Sequence, residues 1–548
     1  MKSFLILTIS LFALFDGRAF QGTYTPRVWV YFDRPFYVAG EDVRFKIFIG
    51  DLSSRSSENA VGPVQCNLYS PESETPIRAI KLEPVKGKVD GAISIPKNAE
   101  DGNYTFALFA GDKVISYPVK IFKDELSGNS PINPHSETIA PPVVEGTLEM
   151  ELEGKRSEYR PREEVSFTLT TKNPDEELSF LAVSIFEKNN YLPRNISSFS
   201  GSDRPSTFTP TNTIQGTVYA VDKSSVMAGK IITGYLVKSG QIVAAFSDDN
   251  GRISLDHDRI NGADKIYLNV FETSKVRIGE GILELDEAIP PKKPGDTFGP
   301  VERTPEIEGY IMKKLQRDRI LKQYKTSLPE EKKGPGLFTH GPFVMSRTFD
   351  EYFTMASVRD AIREFIPNTV VRYNNKTEKE EIYLLEWGES KRFKQTPTFF
   401  INHIPTLSSD LILGLDYRSI ERIDVHTAPQ TISDFWQFGM YGVMSVILKE
   451  GHENPLKNVP ESLPEITGLQ MPAFLEDPYK IAPHDVPDLR ASLYWDPVLG
   501  TGRDGKADFG FYCSDDVTDY VIEVFGVSES GKTGYLVETM SVVRPSGE

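Results

Sequence analysis

The sequence predicts a mainly β protein in which β-sandwich domains follow one another in tandem and one small α/β unit interrupts the series. Strands of alternating apolar and polar residues recur at short intervals, as at Val43–Ile49 and Tyr104–Phe109, and turn residues separate them. The pattern at Tyr37–Val43 is repeated at Tyr159–Val165, and such repetition indicates related modules. Residues 346–452 differ, because segments with apolar residues at helical spacing alternate there with predicted strands.

Changes in composition divide the 548 residues into segments with distinct patterns. In chain order we predict a secretory signal peptide at 1–19, a first sandwich at 23–123, a second sandwich segment at 145–212, a third sandwich at 213–288, a linker and helix at 289–345, the α/β unit at 346–452 and a C-terminal sandwich at 453–548. The helix of the linker is expected at Glu306–Tyr324, which is charged and free of proline, and a helix at Tyr352–Phe365 is stopped by Pro367.

Further strands are predicted in the later segments. Gln241–Phe246 leads into an Asp-rich turn with glycine, which is typical of a hairpin. Ser419–Val425 alternates clearly, and the apolar stretch Gly442–Leu448 closes the α/β unit.

The first residues have the pattern of a secretory signal peptide. Lys2 precedes the apolar run Phe4–Phe15, and the small residues Gly17 and Ala19 follow. The run is shorter than the roughly 20 apolar residues that span a bilayer, and no later stretch is long and apolar enough for a transmembrane helix. We therefore expect an exported protein with no transmembrane segment of its own, with a buried first strand as the alternative interpretation of the run.

The charge balance excludes one class of partner. The formal net charge is −17, and no run of basic residues interleaved with aromatic residues is present in the sequence. Because a nucleic-acid-binding surface needs clustered lysine and arginine, we expect no nucleic-acid partner. The acidic surface is explained by solubility.

The residue types that carry catalysis or bind metals are scattered. Cys66 and Cys513 lie far apart and outside any Cys-x-x-Cys spacing, so two separate buried thiols and one long-range disulfide both stay open. The histidines form no His-x-x-x-His pair, although His403 and His426 could approach each other across neighbouring strands. Acidic turns such as Asp248–Gly251 suit either calcium or a simple hairpin turn. With no nucleophile-elbow, phosphate-loop or dinucleotide motif, we expect no enzyme, no cofactor and no catalytic or metal-binding residues.

Several stretches resemble a known family of sandwich domains. Asp33–Val43 resembles the signature of alpha-macroglobulin-type domains, and Leu493–Trp495 and Ser514–Tyr520 look like a later domain of that family. Residues 213–275 resemble a carboxypeptidase-regulatory-like (transthyretin-like) sandwich, and Tyr104 at the start of a late strand resembles the tyrosine corner of immunoglobulin-like sandwiches. The resemblance implies immunoglobulin- or macroglobulin-like β-sandwiches.

One departure from this family bears on mechanism. Protease-trapping macroglobulins carry a Cys-Gly-Glu-Gln thioester, whereas Asn67 follows Cys66 and Ser514 follows Cys513. We therefore expect no covalent trap.

The α/β unit resembles a second family. Tyr417–Val425, followed by Phe438–Val446, is similar to the plug domain of TonB-dependent outer-membrane receptors, in which an Ile-Glu-x-Ile-x-Val strand precedes a Tyr-Gly segment and a final strand. Ile401–Pro405 stands where the family usually has Asp-Gly, so the ligand handling of the family is not implied. The segment after residue 452 is shorter than the several hundred residues of a receptor barrel. The combination of modules resembles envelope proteins of Bacteroidetes-type bacteria.

The predicted function is binding of other proteins. The candidate contact segment is rich in the residue types that are enriched at interfaces, although a buried core would use the same types; its members are Phe435, Trp436, Phe438, Met440 and Tyr441. We expect a non-enzymatic protein in the periplasm or at the outer membrane of a Gram-negative bacterium, which docks onto an outer-membrane barrel or envelope complex. A non-covalent macroglobulin-like binder of proteases or peptides and a carbohydrate-binding protein are the alternatives.

Overall fold

A computed structural model gives the structure of most of the chain. It describes residues 27–50, 63–110, 113–127, 148–172, 178–192, 202–206, 210, 213–256, 260, 262–273, 276–286, 291–295, 298–324, 344–349, 355–470, 487–496, 499–501, 505–528 and 532–544. The protein is mainly β, as predicted. The predicted signal peptide at 1–19 lies outside the described residues. Strands and helices are numbered along the chain.

The first sandwich is built from β1 Arg27–Phe32, β2 Phe36–Val38, β3 Asp42–Gly50, β4 Val64–Tyr69, β5 Arg78–Leu82, β6 Lys88–Ser94, β7 Gly102–Ala110 and β8 Lys113–Phe122. One sheet has the order β1-β3-β6, and the other contains β8-β7-β4-β5 with β2 parallel to β8. The strands predicted at 43–49 and 104–109 are confirmed within β3 and β7. Phe45 and Phe106 meet edge to face between the sheets, with ring centroids 4.8 Å apart. The Tyr104 hydroxyl donates to the carbonyl oxygen of Glu100 at 3.1 Å, which is the bond of a tyrosine corner.

The second sandwich combines two distant parts of the chain. Its strands are β9 Met150–Glu153, β10 Glu158–Tyr159, β11 Glu164–Thr171 and β12 Leu178–Glu187 with β28 Ser492–Trp495, β29 Lys506–Tyr512, β30 Asp519–Ser528 and β31 Thr533–Val542. The sheets have the orders β10-β31-β30-β12-β28 and β29-β11-β9.

This pairing corrects the predicted division into separate sandwiches at 145–212 and 453–548. Leu169 and Ile185 share one core with Cys513 and Ile522, because the strands of each part find their hydrogen-bonding neighbours in the other. Strand β13 (Ser202–Pro205), also placed in the second segment, pairs with β8 of the first sandwich instead.

The repeated pattern builds the same turn in both sandwiches. A short strand runs parallel to the last strand of its sandwich, β2 beside β8 and β10 beside β31. The Glu41 carboxylate accepts a hydrogen bond from the backbone nitrogen of Val38, and Glu163 accepts one from that of Arg160, each at 2.8 Å. The repetition in sequence therefore reflects one backbone design used twice.

The first two sandwiches contact each other through a buried aromatic cluster, called here the first junction. Tyr31 stacks between Trp495 and Phe525, with ring centroids 6.1 Å from each. Its hydroxyl contacts the Ser184 hydroxyl at 2.7 Å and donates to the fully buried Glu523 at 3.2 Å. The stacked rings bury this interface as completely as a domain core.

Helix α1 (Pro305–Tyr324) confirms the predicted linker helix and packs on both sandwiches. Its residues Ile307, Tyr310 and Ile311 form a buried cluster with Phe36 and Phe122 of the first sandwich. This apolar contact holds one side of the helix on the first sandwich, and charged residues hold the other side on the second sandwich.

Those charged residues bind the helix to the second sandwich. Glu187, fully buried at the end of β12, accepts hydrogen bonds from Lys313 and Arg317. Asp516 accepts a further bond from Arg317 at 2.7 Å. Burial acts to lower the pKa of Arg317, but the two carboxylates outweigh it and raise this pKa above its ordinary value.

The third sandwich contains β14 Thr213–Ala220, β15 Ile231–Leu236, β16 Ile242–Phe246, β17 Arg252–Asp256, β18 Ala263–Phe271 and β19 Arg277–Leu285 in the order β16-β15-β18-β19-β14-β17. The strand predicted at 241–246 is confirmed as β16. Strand β27 (Glu465–Thr467), which was predicted to belong to the C-terminal sandwich, pairs with the first residues of β18. Beyond it, the Gln470 side chain exchanges two 2.8 Å hydrogen bonds with the backbone of Ala92 and so joins the third sandwich to the first.

The α/β unit contains β20 Val344–Thr348, α2 Val358–Phe365, β21 Thr369–Asn374, β22 Lys379–Leu384, β23 Thr398–Ile401, β24 Ile404–Thr406, α3 Ser409–Leu413, β25 Ile420–His426, α4 Gln430–Phe435 and β26 Val443–Leu448, followed by α5 Val459–Ser462. The main sheet has the order β20-β25-β26-β23-β24. The strands predicted at 419–425 and 442–448 are confirmed as β25 and β26. The helix predicted at 352–365 begins later among the described residues, because the Ser357 hydroxyl caps α2 by accepting from the Asp360 nitrogen.

Two further features bear on the predictions. Cys66 and Cys513 are free and buried in different cores, and burial raises the pKa of both thiols, that of Cys513 to about 12. In the part of the chain that the structure describes, no helix combines the length and the apolar character needed to cross a bilayer.

Candidate protein-binding surface

Two of the five predicted contact residues are buried inside the chain. Phe435, at the end of α4, and Phe438, in the 3-10 helix Trp436–Gly439, are both fully buried. They pack with Tyr235 and Tyr267 of the third sandwich and with Phe400 of β23. This cluster is called the aromatic junction. The prediction that Phe435 and Phe438 contact a partner is therefore corrected, because the apolar face of the third sandwich takes up both rings.

Met440 and Tyr441 are partly buried beside this junction. The guanidinium carbon of Arg277, from β19, lies 5.5 Å from the centroid of the Tyr441 ring. Arg277 also donates to the carbonyl oxygen of Thr396, across the boundary between the third sandwich and the α/β unit. Burial lowers the pKa of Arg277 to about 10, although the nearby phenols and Glu280 oppose this shift. Tyr441 thus lies beside an arginine that joins the two modules.

Trp436 is the exposed member of the predicted set. Its side chain is 44% exposed, and its backbone has φ +47° and ψ −136°, a region that favours glycine. Holding a side chain there costs on the order of 1–3 kcal/mol. The conformation persists because Phe435 and Phe438 are buried on either side and because the next residue, Gln437, hydrogen-bonds to Thr233 at 3.1 Å.

A second exposed aromatic ring belongs to the third sandwich. Phe246, the last residue of β16, is 70% exposed, the highest value among the large apolar side chains that the structure describes. In the sheet register Phe246 lies opposite Ile231 and Ala244 lies opposite Thr233. Since Gln437 contacts Thr233, the face that carries Phe246 is the one on which the α/β unit packs.

Strand β16 is an edge strand, and its composition is unusual among the edges of this protein. Its residues are Ile-Val-Ala-Ala-Phe, without a charge or a proline. The edge strands β1, β5, β6, β9, β10, β13, β17, β20, β21, β22, β24 and β29 each carry a charged residue or a proline in the described structure. Edges β2 and β28 lack both, but all three residues of β2 are buried, and Trp495 of β28 is buried in the first junction. Natural sheets normally protect edges with charges or prolines, so β16 is left open to pairing.

The other predicted sites are explained by local structure. His426 lies opposite Val443, the first residue of β26. His403 comes after β23, whose last residue pairs with β26 nearer its other end. The two histidines therefore do not meet. The Asp248 carboxylate accepts from the backbone nitrogens of Asn250 and Arg252 at 2.8 Å, which are the bonds of a hairpin turn. Among the described residues, no three acidic, histidine or cysteine side chains are grouped so that they could hold a metal ion.

A groove that sequence reasoning missed lies at the end of the second sandwich. It has a volume of about 880 Å³ and is lined by β10, the following turn and the two residues after β31, including Arg160 and Arg544. Its other two arginines are paired: Arg162 bonds Asp515 through two 2.7 Å contacts, and Arg156 bonds Glu163. The groove joins residues far apart in the sequence, so no local pattern indicates it.

The comparisons with known proteins define the class of the first module. Residues 27–121 match the MG2 domain family, which makes the first sandwich a macroglobulin-like domain. The match agrees with the predicted resemblance of Asp33–Val43. It covers one module of the chain. No curated protein is found to match the sequence.

Solved structures similar to the whole chain include bacterial alpha-2-macroglobulins. The Salmonella protein reacted with methylamine is 10% identical with a TM-score of 0.24, over 95% of this chain and 40% of that one. The native Escherichia coli protein is 10% identical with a TM-score of 0.25, over 96% of this chain and 40% of that one. Fibronectin(III)-like modules of Clostridium thermocellum CbhA are 11% identical with a TM-score of 0.11, over 46% and 92% of the two chains. The chain thus spans about two fifths of the length of the macroglobulins.

Proposed function

We propose that this chain is an exported, non-enzymatic protein of the bacterial cell envelope that binds other proteins and docks onto an outer-membrane protein complex. The observations that carry the proposal are the exposed ring of Phe246 at the end of β16, an unprotected edge, and the exposed Trp436 between the two phenylalanines of the aromatic junction. Aromatic residues are enriched at protein interfaces, and an unprotected strand edge can pair with another chain.

The rest of the structure supports this surface as a rigid platform. The first junction, helix α1 and the Gln470 contacts connect the sandwiches to one another. The aromatic junction connects the third sandwich to the α/β unit. A partner that contacts both Trp436 and Phe246 would therefore meet two groups whose positions are set before binding, which lowers the entropy lost on association.

Affinity purification tests the proposal. The tagged chain is isolated from gently solubilised native envelopes, and the bound proteins are identified by mass spectrometry. We expect an outer-membrane protein in a fixed ratio to the chain. The variant Phe246→Ser/Trp436→Ala should lose this protein, whereas Tyr373→Ser, which removes a 61% exposed ring from the hairpin β21-β22, should keep it. Recovery of the chain alone would contradict a stable docking role.

The macroglobulin-like domain favours a second candidate function, non-covalent binding of proteases or peptides. This candidate rests on analogy of fold. Incubation with a serine protease, followed by size-exclusion chromatography and denaturing electrophoresis, separates the two candidates. A complex that survives the column and dissociates on denaturation would support protease binding, and free elution of both proteins would exclude it for that protease.

A further inference from the structure

The hydrogen bonds at both ends of β16 show which of its backbone groups point outward. The Leu236 nitrogen donates to the Gln241 oxygen at 2.8 Å, and the Ser247 nitrogen donates to the Lys230 oxygen at 3.0 Å. In an antiparallel pair, alternate residues direct both backbone groups to the partner strand. The backbone N–H and C=O groups of residues 243 and 245 therefore bond to β15, as those of Gln241 and Ser247 do.

The intervening residues Ile242, Ala244 and Phe246 direct their backbone N–H and C=O groups away from β15. In the described structure, β15 is the one strand that pairs with β16, and no turn or loop bonds these outward groups. Their side chains lie on the face of the sheet that carries the aromatic junction, where Ile242 packs and Phe246 protrudes. The edge therefore presents a row of hydrogen-bond donors and acceptors next to the apolar side chains of Ile242 and Phe246.

We propose that β16 binds an extended, uncharged segment of a partner protein as an added β-strand. The inference deepens the proposed function, on which it rests, by naming the mode of binding. Backbone bonds to residues 242, 244 and 246 supply the affinity, and alternate apolar side chains of the added strand lie beside Phe246. An uncharged strand is the matching occupant because β16 carries no charge of its own.

A second copy of this chain is the competing occupant, since β16 could pair with itself. The net charge of −17 on each copy opposes this association. An uncharged partner segment carries no such penalty, so it is the occupant that the charge of this chain favours.

The first test uses a defined probe with the full chain. The probe is a short, fluorescein-labelled, end-blocked peptide of alternating threonine and valine, and binding is followed by fluorescence anisotropy. Its control is the same peptide with N-methyl groups on alternate residues, which removes the hydrogen-bond donors of one edge. We expect binding of the plain peptide and loss of binding by at least about tenfold for the methylated one. Equal affinity for both peptides would overturn strand addition.

The second test changes the edge itself. Ala244→Pro removes an outward N–H group and leaves the bonds to β15 in place, as proline does on the open side of an edge strand. We expect at least about tenfold weaker peptide binding, whereas Ala244→Ser and the distant Tyr373→Ser should bind as the wild type does. Phe246→Lys, which adds a protecting charge, should weaken binding independently of proline. Unchanged affinity in both edge variants would refute the proposal.

Two further outcomes keep the inference separate from the proposed function. If the Ala244→Pro chain still captures the envelope partner of the wild type, protein binding stands and strand addition is wrong. If the peptide binds as expected but the chain is recovered alone from envelopes, the docking function is wrong and the edge remains a peptide site. A wild-type dimer in sedimentation that Ala244→Pro dissociates would show that the occupant is a second copy and would overturn the proposal.

Discussion

The buried amine of Lys46 makes the stability of the first junction depend on pH. Lys46 is 2% exposed on β3, and its ammonium donates to the carbonyl oxygens of Leu181 at 2.5 Å and Leu499 at 3.0 Å. Burial, reinforced by the charge of Lys88, lowers its pKa from 10.5 to about 7, although Asp496 and Asp90 oppose the shift.

The direction of the pH effect follows from this lowered pKa. Between pH 7 and 10.5 the unfolded chain holds a proton on Lys46 that the folded chain has released. The contribution of Lys46 to stability is therefore fully present above pH 10.5 and is lost as the pH falls to about 7. The free energy of unfolding should change by about 1.4 kcal/mol for each pH unit in this window.

The substitution Lys46→Met isolates this effect, because methionine fills similar space and does not titrate. The assay is urea denaturation at pH 7.5, 8.5 and 9.5 (roughly the middle of the window in which the linkage acts). Trp29 and Trp495 report on the junction by fluorescence once Trp387 and Trp436 are replaced by phenylalanine. Over this range the wild type should gain about 3 kcal/mol relative to Lys46→Met.

The control substitution is Lys120→Met, at an exposed lysine of β8, whose pH profile should parallel that of the wild type. A wild type and a Lys46→Met variant with parallel profiles would refute the reasoning. That result would mean that the Lys46 amine keeps its proton in the folded chain and that water or a carboxylate supports its charge.

Three other substitutions test the contacts between the modules. Arg317→Met leaves the fully buried Glu187 with one cation fewer and should lower the free energy of unfolding by about 3 kcal/mol, measured by calorimetry. Gly468→Ala would place a methyl carbon 2.0 Å from the carbonyl oxygen of residue 260 and should lower the melting temperature, whereas Gly500→Ala, which meets nothing within 4 Å, should not. Phe438→Ala should cost about 3–5 kcal/mol, and faster hydrogen exchange at β15 and β23 should accompany it; unchanged exchange there would contradict the role assigned to the aromatic junction.

The individual strands could be predicted because their signals are local. Alternation at 43–49 and 104–109 fixes which side chains face the core, and β3 and β7 extend only a residue or two beyond these limits. Helix α1 could be predicted equally well, since its charged residues and its lack of proline are properties of one continuous stretch. A strand or helix that is determined by its own residues needs no knowledge of its neighbours.

The assignment of strands to sandwiches could not be predicted in the same way. An apolar face indicates that a strand is buried, but it does not indicate which sheet covers it. Strands β11 and β29 pair over their whole length although about 340 residues separate Thr168 from Asp508 in the chain. The third sandwich, the helix and the α/β unit all lie within this separation, so the pairing is set by contacts that no local window contains.

The contact segment shows the same limit at the level of single residues. Phe435, Trp436 and Phe438 are all aromatic residues of one segment, and the sequence is compatible with either a core or an interface for each of them. The structure divides them: the two phenylalanines are buried, and the positive φ of Trp436 turns its ring outward. That backbone angle depends on the surface of the third sandwich against which Phe435 and Phe438 pack. The β16 edge could have been suspected from its uncharged composition, but its exposure depends on which strand pairs with it.

The repeated turn shows what a sequence repeat preserves. Glu41 and Glu163 make the same bond to the backbone. The residue before each glutamate has a positive φ, but the two residues are of different types. Gly40 adopts φ +87° freely, whereas Arg162 is held at φ +60° and needs its two hydrogen bonds to Asp515. Asp515 belongs to the distant half of the second sandwich. In the first module the turn is therefore encoded locally, and in the second it depends on the assembly of both halves, which is why the same pattern in sequence does not imply an independent domain.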